Sequence, residues 1–197
     1  EKETSINVVP KTNGAGINKN VMLLGDSTVI SGGNGYITDE LLKLFNADEM
    51  NISLIGTQGT VPNAYEGRGG WTANDYRTNK VAYDLVNPYY NSAVTDFYLS
   101  YYMTNNGFGN LDALILQLGI NDAFPHTDNT SLISAVNGSI SAYEKIILSA
   151  KEFNPLIKVG INITIPPSPE QDKYATQYGN QQNAWKAKSN NAYFVNK

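Results

Sequence analysis

Apolar positions along this chain gather in short runs that end at glycine or proline, the pattern of strands buried on both faces of a sheet. Residues 21–25 (Val-Met-Leu-Leu-Gly) are the first such run and 51–56 (Asn-Ile-Ser-Leu-Ile-Gly) the second. Residues 111–118 and 157–165 supply two more, the last closed by Pro166-Pro167. Between them the apolar spacing lengthens to the helical period. It predicts a helix over 38–46 with Thr38 as N-cap, a long helix over 131–153, and a tail helix around 181–188. Tyr174, Tyr178 and Trp185 read as the apolar stripe of that tail. A short edge strand is expected at 6–9, and the Gly-rich segment 31–35 reads as a loop. Residues 57–109 read as one long loop-rich stretch with a tyrosine-dense insertion, a length that is usually functional or disordered.

Strand, helix, strand, helix, strand predicts an α/β fold, a three-layer α/β/α sandwich with a mainly parallel sheet. Residues 1–20 form a polar lead-in and 21–197 a single domain. The tail helix ought to be followed by one more strand and loop, so the fold is expected to be C-terminally incomplete in this sequence. The 197 residues are 41% hydrophobic, enough for one substantial core. A net charge of -4 argues against nucleic acid as the main partner. No apolar run approaches the roughly 20 residues that span a bilayer. The absence of cysteine removes disulfides and thiolate metal sites. No His, Asp and Glu cluster has the spacing of a zinc or calcium site. The first residue is Glu1, which suggests a processed chain. Thirteen tyrosines beside abundant Asn, Gly and Thr resemble a surface that meets carbohydrate or cell wall. Secretion or a bacterial cell surface fits that composition, and a cytoplasmic location fits the missing cysteines.

Three motifs follow predicted strands. Gly25-Asp26-Ser27 puts a serine hydroxyl at a strand end, where open α/β sheets build their sites. A helix N-cap explains the same tripeptide. Gly119-Ile120-Asn121-Asp122 offers a carboxamide donor for a developing oxyanion, or a simple cap in a strand-to-helix turn. Gly67-Arg68-Gly69-Gly70-Trp71-Thr72 can present backbone N–H groups to an anion, or serve as a flexible turn. His126 is the only histidine, and it leaves the sheet just after the third motif. It is a candidate base, with Asp128 or Asp122 to orient it. A bland loop histidine explains it as well.

Together, in this order, the motifs resemble the blocks of the SGNH/GDSL hydrolase superfamily of serine esterases and lipases. The resemblance covers roughly residues 21–165. It implies a flavodoxin-like sandwich, Ser27 as nucleophile, Gly70 (or Gly67) and Asn121 in the oxyanion hole, and ester hydrolysis with no metal or cofactor. Asp26, Arg68 and Trp71 become candidates for the substrate side, Arg68 steering an anionic or acetylated group. Tyr89, Tyr90, Tyr101 and Tyr102 join Trp71 as candidates to stack on sugar, and core or interface packing explains them equally well. The implied substrate is a small-molecule or polysaccharide ester, most simply an acetylated carbohydrate. The superfamily's last landmark, an Asp-x-x-His, has no counterpart after Gly119, so the usual histidine is expected on sequence beyond Lys197. A non-catalytic carbohydrate or cell-wall binding module on the same fold is the alternative. A nucleotide-binding flavodoxin-like domain is disfavoured, because strand one lacks a glycine-rich turn running directly into a helix.

Overall fold

The computed structural model describes residues 10–30, 37–82, 85–164, 170 and 184–197. The expected strand at 6–9, the glycine loop at 31–35, Pro166-Pro167, and the Tyr174 and Tyr178 positions lie outside the described residues. The fold is the expected α/β type with a mainly parallel central sheet. Its strands are β1 (Asn18–Gly25), β2 (Asn51–Leu54), β3 (Gln58–Thr60), β4 (Asn63–Gly67), β9 (Ala113–Gln117) and β10 (Lys158–Ile161), in spatial order β10-β9-β1-β2-β4-β3. All neighbours pair in parallel except β3, which runs antiparallel along β4.

Alternation along β1 divides the core into two layers. Met22 and Leu24 face one side, Val21 and Leu23 the other. The first side is covered by α4 (Asn129–Phe153), which buries Leu132, Val136, Ser139, Tyr143, Ile146 and Ala150 at helical spacing. The second side is covered by α1 (Ile37–Ala47) through Ile37, Leu41, Leu42 and Phe45. Thr38 lies inside α1 and is buried, so it does not cap the helix. The cap that can be seen is on α4, where Asp128 Oδ1 accepts the Ser131 N–H at 2.9 Å.

The stretch 57–109 departs most from expectation. It holds β3 and β4 of the main sheet, a 3₁₀ turn (Asn74–Arg77), two small hairpins and α2 (Leu99–Asn105). The hairpins are β5 (Val81–Ala82) with β6 (Leu85–Val86), and β7 (Tyr90–Asn91) with β8 (Asp96–Phe97). Part of its aromatic set packs inside: Tyr89 stacks on Tyr102 with ring centroids 4.1 Å apart and on Phe97 at 4.7 Å. A short helix α3 (Ile120–Ala123) follows β9, and α5 (Ala184–Val195) closes the chain.

Candidate active site

The three motifs meet because β1 changes partner along its length. Asn18–Val21 pair with β2, which then ends, and β4 takes its place beside Leu24 and Gly25. Gly25 therefore stands level with Gly67 on one side and Gln117 on the other. Three carboxyl-terminal strand ends deliver Ser27, the Gly67–Gly70 turn and Asn121 to one rim. The chain leaves β1 toward β2 on one side and reaches β9 on the other, a topological switch point, where ligands bind in such sheets.

Backbone bonds weld the rim. Arg68 N–H donates to the Gly25 carbonyl at 2.9 Å, and Asp26 N–H donates to the Gln117 carbonyl at 3.2 Å. Beneath them the Tyr76 hydroxyl shares its one hydrogen between the carbonyls of Gly25 at 2.6 Å and Glu66 at 2.9 Å. Tyr76 was not legible as a site residue, since nothing in its sequence neighbourhood marks a tyrosine that reaches two strand ends.

Ser27 sits in a turn closed by the Val29 N–H to the Asp26 carbonyl at 3.2 Å and the Ile30 N–H to the Ser27 carbonyl at 3.3 Å. It is exposed, begins no helix, and its hydroxyl makes no hydrogen bond among the described residues. The N-cap explanation therefore lapses. Asp26 faces inward: it is buried, and its Oδ1 accepts the Thr28 N–H at 2.9 Å and the Thr28 hydroxyl at 2.8 Å. Burial raises its pKa, opposed by the Thr28 bonds. Through the Thr28 bonds Asp26 shapes the turn from its buried side.

The two glycine candidates differ in kind. A Cβ on Gly67 would come within 2.9 Å of the Ile30 nitrogen and 3.1 Å of the Asp26 carbonyl oxygen. Gly67 is thus the surface on which the serine turn packs. Gly70 has φ +72°, is exposed, and has open space where a side chain would go. Its requirement is conformational.

Arg68 and Trp71 both lie buried. Arg68 is 4% exposed and its Nη2 donates to Glu66 Oε2 at 2.7 Å. Glu66, fully buried, also accepts the Thr57 hydroxyl at 2.6 Å and the Tyr102 hydroxyl at 2.5 Å. The guanidinium anchors the loop from below and does not reach out to an anion. Glu66 stands near the end of β4, and Arg68 follows that strand by one residue. Trp71, 1% exposed, packs edge-on against Tyr76 at 4.9 Å. Tyr89 and Tyr102 are likewise buried.

The third motif grips the second. Asn121 Nδ2 donates to the Trp71 carbonyl at 3.0 Å. Next to it, the buried Asp122 carboxylate accepts the Ala73 N–H at 3.1 and 3.2 Å and the Ser139 hydroxyl at 2.5 Å. Burial pushes the Asp122 carboxyl up to about 6, the Ser139 and Ala73 bonds opposing it and Asp75 and Asp26 adding to it. Both side chains tie helix α3 to the 71–73 loop, and Gly119, not Asn121 or Asp122, occupies the capping position. His126 lies half-buried in the turn before α4, where its carbonyl accepts Asn190 Nδ2 at 2.6 Å. Asp122, weighed as its orienter, spends its oxygens on Ala73 and Ser139; Asp128, the other, caps α4.

No family model and no curated protein matches the chain. Among solved structures, the Clostridium thermocellum family 3 carbohydrate esterase is similar over 83% of this chain and 70% of that one, with a TM-score of 0.51 and 18% identity. A structure from Streptococcus pneumonia, provisionally assigned as a platelet activating factor, shows 16% identity and a TM-score of 0.47. That comparison covers 94% of this chain and 63% of the other, so this chain spans less than two thirds of that protein. The fold is therefore of a kind that an esterase uses.

Proposed function

We propose that this rim is the active site of a serine ester hydrolase that removes O-acyl groups, acetyl in the first instance, from carbohydrate. The observation that carries the reading is the level alignment of Gly25, Gly67 and Gln117, which puts the exposed Ser27 and the held carboxamide of Asn121 just past the ends of neighbouring strands. The sugar ester is favoured by the fold likeness to a carbohydrate esterase.

In this reading Ser27 Oγ attacks the acyl carbonyl carbon and its proton passes to a base. The negative oxygen is held by Asn121 Nδ2 and the backbone N–H groups of Ser27 and Gly70. The bond to the alcohol oxygen then breaks, the alcohol leaves with the proton, and water splits acyl-Ser27 into free acid and serine. Asn121 suits its role because one amide hydrogen is spent on the Trp71 carbonyl, which fixes the plane of the group and leaves the second hydrogen for the oxyanion.

The test is intact mass and peptide mapping after incubation with a fluorophosphonate. An adduct on Ser27 supports the reading. Its loss in His126→Ala makes His126 the base, and its survival there removes His126 from that role. No adduct on Ser27 in this chain counts against an activated serine and favours a binding module on the same fold.

A further inference from the structure

Two adjacent tyrosine pairs, Tyr89-Tyr90 and Tyr101-Tyr102, each divide between core and surface. Tyr89 and Tyr102 stack on one another inside, fully buried. Tyr90 is half-buried and Tyr101 is 38% exposed, and both line a cleft of about 440 Å³ together with Asn79, Ser92, Asn105 and Asn106. Among the described residues no charged side chain lines it. The cleft belongs to the segment between the second and third motifs, and none of its lining residues is one of the rim residues Ser27, Gly70 or Asn121.

Its floor is rigid. Asn87 is 3% exposed, and its Nδ2 donates to the carbonyls of Tyr76 and Thr78 at 2.8 Å, with the Asp75 carbonyl nearby at 3.2 Å sharing one of the two hydrogens. Its Oδ1 accepts the Tyr89 N–H at 3.0 Å. One buried carboxamide thus pins the 3₁₀ turn to the start of the β7 hairpin, so the cleft is preformed and needs little ordering when it is filled.

We propose that this cleft binds a neutral oligosaccharide, without taking part in the reaction at Ser27. A sugar ring offers a C–H face and a rim of hydroxyls. Tyrosine meets the first with an apolar ring and the second with its hydroxyl. The carboxamides of Asn79 and Asn105 each supply donors and acceptors, matching hydroxyls that are both. An anionic ligand would lose its water without gaining a cation in return, which the uncharged lining makes unfavourable. Val86 and Pro88 are the aliphatic side chains among the described residues at the cleft, too little to anchor an apolar peptide.

The test is calorimetric titration of the 197-residue protein with cellohexaose, xylohexaose and polygalacturonate, with an unrelated apolar hexapeptide alongside. Saturable binding of a neutral hexasaccharide is expected, weakened about tenfold or more by Tyr101→Ala, which loses the ring contact. Tyr101→Phe should keep most of the affinity, and Asn105→Ala should lose part of it. Both positions are exposed, so urea midpoints should match the parent. Absence of hexasaccharide binding, binding that survives the Tyr101→Ala/Asn105→Ala pair, or preference for polygalacturonate or the peptide would each overturn the proposal. Fluorophosphonate labelling of Ser27, read on the same variants, should be unchanged by them. That readout decides the esterase reading separately, since either result there leaves the titration to stand by itself.

Discussion

Asn121 Nδ2 lies 3.0 Å from the Trp71 carbonyl oxygen, joining motifs 50 residues apart. The bond aims one side chain and at the same time fixes the loop that carries Gly70. Asp122 repeats the connection one residue on, through the Ala73 N–H. The rim is held from within the second and third motifs, and the serine turn rests on Gly67 beside them.

Asn121→Ala should lower ester hydrolysis by about 10²–10³, the usual cost of one oxyanion donor. Losing the bond to Trp71 should cost only about 1 kcal/mol of stability. Initial rates on 4-nitrophenyl acetate, set beside urea midpoints, separate the two effects. A parent-like rate would remove Asn121 from the oxyanion hole.

Asp122 makes stability depend on pH in a stated direction. Its carboxyl, pushed up to about 6 in the folded protein, sits near 3.8 when unburied. The folded state therefore holds this proton more tightly than the unfolded state does. The stabilisation is complete below pH 4 and is lost as pH rises through 6, to a total of about 3 kcal/mol. Asp122→Asn cannot ionise, so its unfolding midpoint relative to the parent should rise between pH 4 and pH 7. A difference that stays flat with pH would mean the carboxyl is not shifted by burial.

Removing Arg68 alone should be costly, because Glu66, at 0% exposure, would be left buried without its cation. Arg68→Met should lose about 3–5 kcal/mol in denaturant unfolding. Glu66→Gln combined with Arg68→Met should recover much of that loss, since no uncompensated charge remains. Equal losses in the single and double variants would show that the pair's packing, not its charge, holds the loop.

Much of this was legible in the chain, and the misses have physical causes. The strands that carry Ser27 and Asn121 declared themselves because long apolar runs ending in glycine have one cheap solution, burial in a sheet. β4 did not, because Asn-Ala-Tyr-Glu-Gly has no strand pattern of its own and is recruited only by the edge that β2 leaves open. Arg68 and Trp71 read as surface residues on a glycine loop. Their burial depends on Glu66, Tyr102 and Tyr76, partners that only the folded chain brings near.

The sequence by itself determined the strands β1, β2, β9 and β10, the helices α1 and α4 between them, the parallel class of the sheet, and the Gly25-Asp26-Ser27 and Gly119-Ile120-Asn121-Asp122 motifs at the ends of apolar runs. These are consequences of local periodicity and short-range turn chemistry. Only the tertiary structure decided that Gly67 bears the serine turn while Gly70 stands free, and that Asp122 and Tyr76 brace the rim. It alone also split the tyrosines, sending Tyr89 and Tyr102 inward and leaving Tyr90 and Tyr101 at a cleft. Those choices rest on register and burial between residues distant in sequence, and no local pattern encodes which partner arrives.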